Sequence, residues 1–193
     1  MKKLLITGFE PFDNETINPS WDAVTRLPDE IGGYRLTKLL IPVLFRQSAE
    51  QVIDTANKLQ PDVILCIGQA GGRSSITPEM LGINLRHATI PDNNGYQPID
   101  EPIVAGGENA HFTTLPVRKI AESIKANGLP SQVSYSAGAY VCNEVIYTLL
   151  DYYKNTETRV GFIHVPYSTE QNKQPSIPLA DIVKGLTIAI ECL

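Results

Sequence analysis

The chain has 193 residues, enough to bury a full core without disulfides or metals and a length typical of one domain, taken here as 1–193. With 16 Lys and Arg against 21 Asp and Glu, its formal charge is −5, which argues against nucleic acid or an anionic membrane surface as partner. No apolar stretch approaches the roughly 18 residues of a membrane span.

The opening Met1-Lys2-Lys3-Leu4-Leu5-Ile6 resembles the start of a secretory leader, but Glu10 and Asp13 follow too soon, so a cytoplasmic chain is expected. Lys3 to Gly8 reads as a buried strand. Just past it, Gly8-Phe9-Glu10-Pro11-Phe12 places two aromatics that serve either as hydrophobic plugs or as a small apolar pocket. Asn18-Pro19-Ser20 opens a helix to about Leu27, with Asn18 or Ser20 as cap. Arg35 to Val43 reads as a strand, and Phe45 to Leu59 as an amphipathic helix stopped by Pro61. Asp62 to Gly68 is a strand apolar on both faces, with Cys66 in the core.

The turn Gly68-Gln69-Ala70-Gly71-Gly72-Arg73 follows. It lacks the Lys-Ser/Thr ending of a phosphate loop and the spacing of a dinucleotide fingerprint, so tight-turn glycines are the simpler account. Residues 86–112 carry little periodicity and many turn formers. A loop that long is ordinarily functional, and its apolar members Ile90, Ile99, Ile103 and Val104 point to an active-site wall or a subunit contact. Leu115 to Ala126 is helical, closing at Asn127-Gly128. Gln132 to Ser136 reads as a strand, Cys142 to Lys154 as a helix, Arg159 to Val165 as a strand and Pro178 to Glu191 as the last helix. This alternation predicts an α/β fold with a largely parallel central sheet and helices on both faces.

The cysteines, Cys66, Cys142 and Cys192, are too sparse for a disulfide framework, and no Cys or His grouping has metal-ligand spacing. Cys66 reads as core, Cys192 as an exposed terminal thiol, and His87 and His111 as surface residues. Cys142 differs because it begins a helix. Free N–H groups and the dipole there favour a thiolate, so a lowered thiol pKa is expected, and the same N–H groups suit an oxyanion. His164, near a strand end, supplies a base on the same edge of the sheet. For the group that orients the imidazole, spacing leaves Glu79, Asp92, Glu10 and Asp13 open, with Glu79 slightly ahead. The competing readings are an inert core thiol and a structural histidine.

Taken together, these segments resemble one family, pyroglutamyl peptidase type I, over nearly the whole chain. The resemblance rests on Gly8-Phe9-Glu10-Pro11-Phe12, Asn18-Pro19-Ser20, the 68–73 turn, Ile76-Thr77-Pro78-Glu79, Ile90-Pro91-Asp92-Asn93, Phe112-Thr113-Thr114-Leu115-Pro116, Val141-Cys142-Asn143 and Phe162-Ile163-His164-Val165-Pro166-Tyr167, in that order. It implies a three-layer α/β/α sandwich with a twisted, largely parallel (mixed) sheet. It also implies a cysteine peptidase with Cys142 as nucleophile, His164 as base and acid, and Glu79 orienting the imidazole. It implies no cofactor, peptide substrates beginning with pyroglutamate, and a homotetramer. By the same resemblance Phe9 and Phe12 sandwich the lactam ring, Ile90 and Val141 line the pocket, and Asn18 and Gln69 help fix it. Three positions depart from the family pattern. His87-Ala88-Thr89 stands where Asp-Ala-Arg is frequent, with Arg86 able to substitute only if the loop is rearranged. His111 replaces a frequent tyrosine, and Glu144 stands where histidine or another residue is expected. A non-covalent small-ligand-binding α/β protein and a catalytically inactive homologue are the alternatives.

Overall fold

The computed structural model describes residues 1–193. In chain order the elements are β1 (Lys2–Phe9), α1 (Pro19–Arg26), β2 (Glu30–Ile31), β3 (Tyr34–Ile41), α2 (Gln47–Leu59), β4 (Val63–Gln69), β5 (Thr77–Pro78), β6 (Leu81–Ile83), β7 (Ala110–Phe112), α3 (Val117–Ala126), α4 (Val141–Tyr153), β8 (Arg159–Val165), β9 (Tyr167–Ser168), β10 (Ser176–Ile177) and α5 (Leu179–Glu191). The central sheet runs β2-β3-β1-β4-β8-β5. Its four inner strands are parallel, and the two-residue strands at its edges are antiparallel.

Alternation along the strands sorts side chains to two faces. Leu4, Ile6, Val63, Leu65, Ile67, Ile163 and Val165 face one core, closed by Val24 of α1, Ile120 of α3 and Leu186 of α5. Leu5, Ile64, Cys66, Val160 and Phe162 face the other, closed by Val52 of α2 and Val145 and Leu149 of α4. Both faces are apolar because parallel strands are covered on both sides. The result is the three-layer α/β fold that the sequence predicts.

Element ends follow local chemistry. Asn18 caps α1 by accepting from the Ser20 N–H (3.1 Å), and Pro19 occupies the first helical position. The β3 strand stops at Ile41 because Pro42 offers no N–H. Helix α2 starts at Gln47 rather than Phe45, since Arg46 takes φ +65°.

Gln132 to Ser136, expected as a strand, forms none; the only pairings are isolated bridges, Ile76 with Ser131 just before it and Glu79 with Ser134 within it. The Gln132 and Ser134 N–H groups donate to Ile76 and Pro78, and Met80 donates back to Ser134. Pro78 cannot donate to the carbonyl between them, so the ladder is broken there.

Two further expectations fail on burial. Cys192 ends α5 and is buried in the core beside that helix. His111 is also buried, packed at a tilt against Tyr147 (centroids 4.9 Å apart) and bonded to Asp151 (3.0 Å). The β6–β7 hairpin that carries it lies directly on α4, where a Cβ at Gly82 would come 2.8 Å from the Tyr147 nitrogen. No helix is long and apolar enough to cross a membrane.

Candidate active site

Cys142 is the second residue of α4, a partly exposed residue where the helix meets the sheet. Gly68, near the carboxyl end of β4, makes room for it. A Cβ at Gly68 would come 2.9 Å from the Cys142 sulfur and 2.7 Å from Phe162 Cζ. Gly68 is the register partner of His164 in β8. His164 also shares the strand face of Val160 and Phe162, the face that α4 covers. Strand parity therefore puts the imidazole on the sulfur's side of the sheet, one strand from the glycine that the sulfur touches. The His164 and Phe162 rings lie 4.7 Å apart.

Glu79 arrives from the opposite direction. Thr77 of β5 pairs antiparallel with His164, and Glu79, two residues on, falls on the same face. Its backbone N–H donates to the Phe162 carbonyl (2.9 Å). Its carboxylate, fully buried, accepts from His164 Nδ1 (2.7 Å). An ionised carboxylate only accepts, so Nδ1 carries the hydrogen and Nε2 keeps a lone pair. The other acidic candidates do different work. Asp92 accepts from the backbone of Phe45, Asn94 and Tyr96, and Glu10 from Val43 and Asn93, so both organise turns. Asp13 takes a positive φ of 52° in the exposed stretch beyond β1.

The electrostatics correct one expectation. Burial pushes the Cys142 thiol up to about 12, the Glu79 carboxylate adds to the rise, and Arg73 opposes it. Loss of water at the packed helix start thus works against the thiolate that the N–H groups there would favour. Burial also holds His164 below its usual 6.5, against the raising effect of Glu79 and with help from Arg73. Glu79 feels burial too, but hydrogen bonding and charge from His164, with the hydrogen bond from Arg73, keep its carboxyl below the usual value. The resting constellation is a thiol, a neutral imidazole and a carboxylate. No side chain caps α4, so its first N–H groups stay free beside the sulfur.

Around this centre, Phe9 is buried 6.4 Å from Phe162, centroid to centroid. Phe12 is partly exposed and 6.3 Å from Tyr140, the residue that precedes α4. Val141 is buried as the first residue of α4. Ile90 is partly buried in the 86–112 loop, next to Pro91, whose carbonyl accepts from the Tyr140 hydroxyl (3.0 Å). Asn18 keeps its polar atoms within the scaffold, since its amide donates to the Glu10 carbonyl (3.0 Å) and anchors the Phe9–Phe12 stretch. The Gln69 side chain shares the face of Val165, opposite Cys142, and accepts from the Gln171 amide (2.8 Å). What Gln69 offers on the cysteine side is backbone.

Arg86 does not replace the arginine absent at Thr89. Its guanidinium is buried on Glu144, with Nη2 at 2.6 Å and Nε at 2.8 Å, and it also donates to the Pro102 carbonyl. Glu144 is thereby explained as its counter-charge. Sequence reasoning missed Gly68, Tyr140 and the side chain of Arg73. For Gly68 and Arg73 the only signal was the glycine turn. For Tyr140 it was the position just before the cysteine helix.

A sequence model of the family described as pyroglutamyl peptidase matches residues 2–193. The pyrrolidone-carboxylate peptidase of Lactobacillus johnsonii is 48% identical over 198 residues, covering 99% of this chain and 92% of its own. That of Bacillus subtilis is 47% identical over 194 residues, covering 97% and 90%. Among solved structures, pyroglutamyl peptidase I of Bacillus amyloliquefaciens superposes with a TM-score of 0.94 at 46% identity, covering 100% of this chain and 96% of that one. The pyrrolidone carboxyl peptidase of Thermococcus litoralis gives 0.94 at 36% identity, covering 100% and 93%.

Proposed function

The chain belongs to the pyroglutamyl peptidase family and is an enzyme of the pyroglutamyl-peptidase I type, and on that premise we propose that it removes N-terminal pyroglutamate by cysteine chemistry. The observation that carries this reading is the Cys142 sulfur seated at Gly68, beside an imidazole whose Nδ1–H is fixed on Glu79.

Because sulfur and imidazole are both neutral at rest, proton transfer and attack belong together. His164 Nε2 takes the thiol proton as sulfur bonds to the pyroglutamyl carbonyl carbon. Free N–H groups at the start of α4 hold the oxyanion, and the Glu79 carboxylate stabilises the imidazolium. The carbon–nitrogen bond then breaks, His164 gives its proton to the departing amine, and a thioester remains. Water attacks it with His164 as base, releasing pyroglutamate and restoring the thiol.

Pyroglutamate is a flat, uncharged lactam, so its pocket needs apolar walls and a donor–acceptor pair rather than a counter-ion. Phe9, Phe12, Ile90 and Val141 supply the walls in this reading, and backbone near Gln69, held by the Asn18-anchored stretch, supplies polar contacts. One such buried hydrogen bond is worth about 1–3 kcal/mol, which favours the lactam over proline. The same reading makes the chain a homo-oligomer, with the exposed Phe112 and Ile99 as surface for a second copy to cover.

Hydrolysis of pyroglutamyl-aminocoumarin tests the proposal. Wild type should release the fluorophore, and Cys142→Ala should not. A wild-type chain without activity, or full activity in the variant, ends the reading. Iodoacetamide should label Cys142 faster than buried Cys66, and a pyroglutamate analogue should slow that labelling.

A further inference from the structure

Glu79 is held by more than the imidazole. The guanidinium of Arg73, in the turn after β4, donates through Nη1 to Glu79 Oε1 (2.6 Å), the same oxygen that accepts from His164. The same Nη1 lies 2.6 Å from Thr77 Oγ1, and Nη2 donates to the Ser136 carbonyl (2.8 Å), on the segment that leads to Cys142. The other carboxylate oxygen of Glu79 is buried without a partner. Ser134 lies close by, but its hydroxyl donates to the Ser136 carbonyl (3.1 Å). Oε1 is thus the point by which the carboxylate is fixed, and Arg73 and His164 share it.

We infer that Arg73 is a positioning residue for the proposed reaction: it fixes the Glu79 carboxylate, ties it to the segment entering the cysteine helix, and divides the carboxylate's charge with His164.

Geometry and charge make separable contributions. The guanidinium holds one carboxylate oxygen through Nη1 and the Ser136 carbonyl through Nη2, so it joins the 68–73 turn and the end of β5 to the distant approach to α4. The charge faces the same small volume. The ionisable groups around His164 are Glu79 beyond β5, Arg73 after β4 and Cys142 at the start of α4. A cation at Arg73 disfavours a proton on both the imidazole and the sulfur. It thereby offsets the pull of Glu79, which by itself would favour an imidazolium unable to accept the thiol proton.

This inference rests on the cysteine-peptidase reading, and two substitutions separate the contributions. Arg73→Lys keeps the charge and loses the two-point hold. Arg73→Gln loses both. Turnover of pyroglutamyl-aminocoumarin is measured across pH, with thermal unfolding as a check on the fold. Both variants should lose kcat, Arg73→Gln by about 10- to 100-fold and Arg73→Lys by less, with KM little changed. In Arg73→Gln both limbs of the pH profile should move to higher pH, whereas in Arg73→Lys they should stay in place. Wild-type kcat in Arg73→Gln, or unmoved limbs in a folded Arg73→Gln, overturns the inference.

The pH dependence of Cys142 alkylation by iodoacetamide gives a readout independent of peptidase activity. It should move upward in Arg73→Gln and not in Arg73→Lys. If wild type fails to cleave the substrate while this shift appears, the functional reading falls and the Arg73 coupling stands. If wild type cleaves and the shift is absent, the reverse holds.

Discussion

Gly68 and His164 are register partners in adjacent parallel strands, and the absent Cβ of the first is the space beside the second that the Cys142 sulfur enters. Gly68→Ala should therefore act on chemistry and packing together. The added methyl would lie 2.9 Å from the sulfur and 2.7 Å from Phe162, closer than side chains tolerate. Overpacking of this kind costs about 1–3 kcal/mol. The expected result is a folded protein with a lowered melting temperature and a severely reduced kcat. Wild-type turnover would mean that the sulfur does not work from this position.

Glu79→Gln should leave the fold in place and lower kcat on the order of 10³-fold, because an amide neither stabilises the imidazolium nor enforces the Nδ1–H tautomer. The measurement is kcat alongside a urea unfolding curve. Unfolding without a specific loss of turnover would make the carboxylate structural.

Acid should loosen the fold in two stages. The folded His164 binds a proton less readily than the unfolded one, so stability falls as pH drops below 6.5. Glu79, whose folded value is depressed, contributes stability that is present above 4.5 and lost as pH falls through its folded value. Urea midpoints measured from pH 7.5 downward should decline over both ranges. His164→Gln should remove the upper stage and also weaken the lower, because His164 supplies the main lowering influence on Glu79. An upper stage that persists in this variant assigns it to another group.

Arg86 and Glu144 form a buried pair that ties the 86–112 loop to the cysteine helix. Removing one partner strands the other charge, so Glu144→Ala should destabilise by about 3–5 kcal/mol. The double change Arg86→Met with Glu144→Met should recover most of that loss. Equal destabilisation in the single and double variants would show that loop packing, not the charge, is what matters.

Much of the scaffold was legible because it is written locally. Runs such as Val63-Ile64-Leu65-Cys66-Ile67 fill both faces of a strand, Asn18-Pro19-Ser20 spells a helix start, and Cys142 stands where apolar helix periodicity begins. The strand expected at 132–136 was misread because its partner is interrupted by Pro78, a fact that lies some fifty residues away in the chain. Cys192 and His111 were misread for the same reason, since their burial depends on what folds over them.

What the residues alone determined is the α/β alternation and one sulfur and one imidazole at the carboxyl edge of the sheet. Both follow from period and position along a continuous segment. The resemblance had already named Glu79 among the four acidic candidates, but only the folded chain carried it to the imidazole, brought Arg73 onto the same oxygen, and buried the sulfur. Strand register brought Glu79 to His164 across 85 residues of sequence, and desolvation at the packed start of α4 overrode the local helix-end chemistry that favours a thiolate.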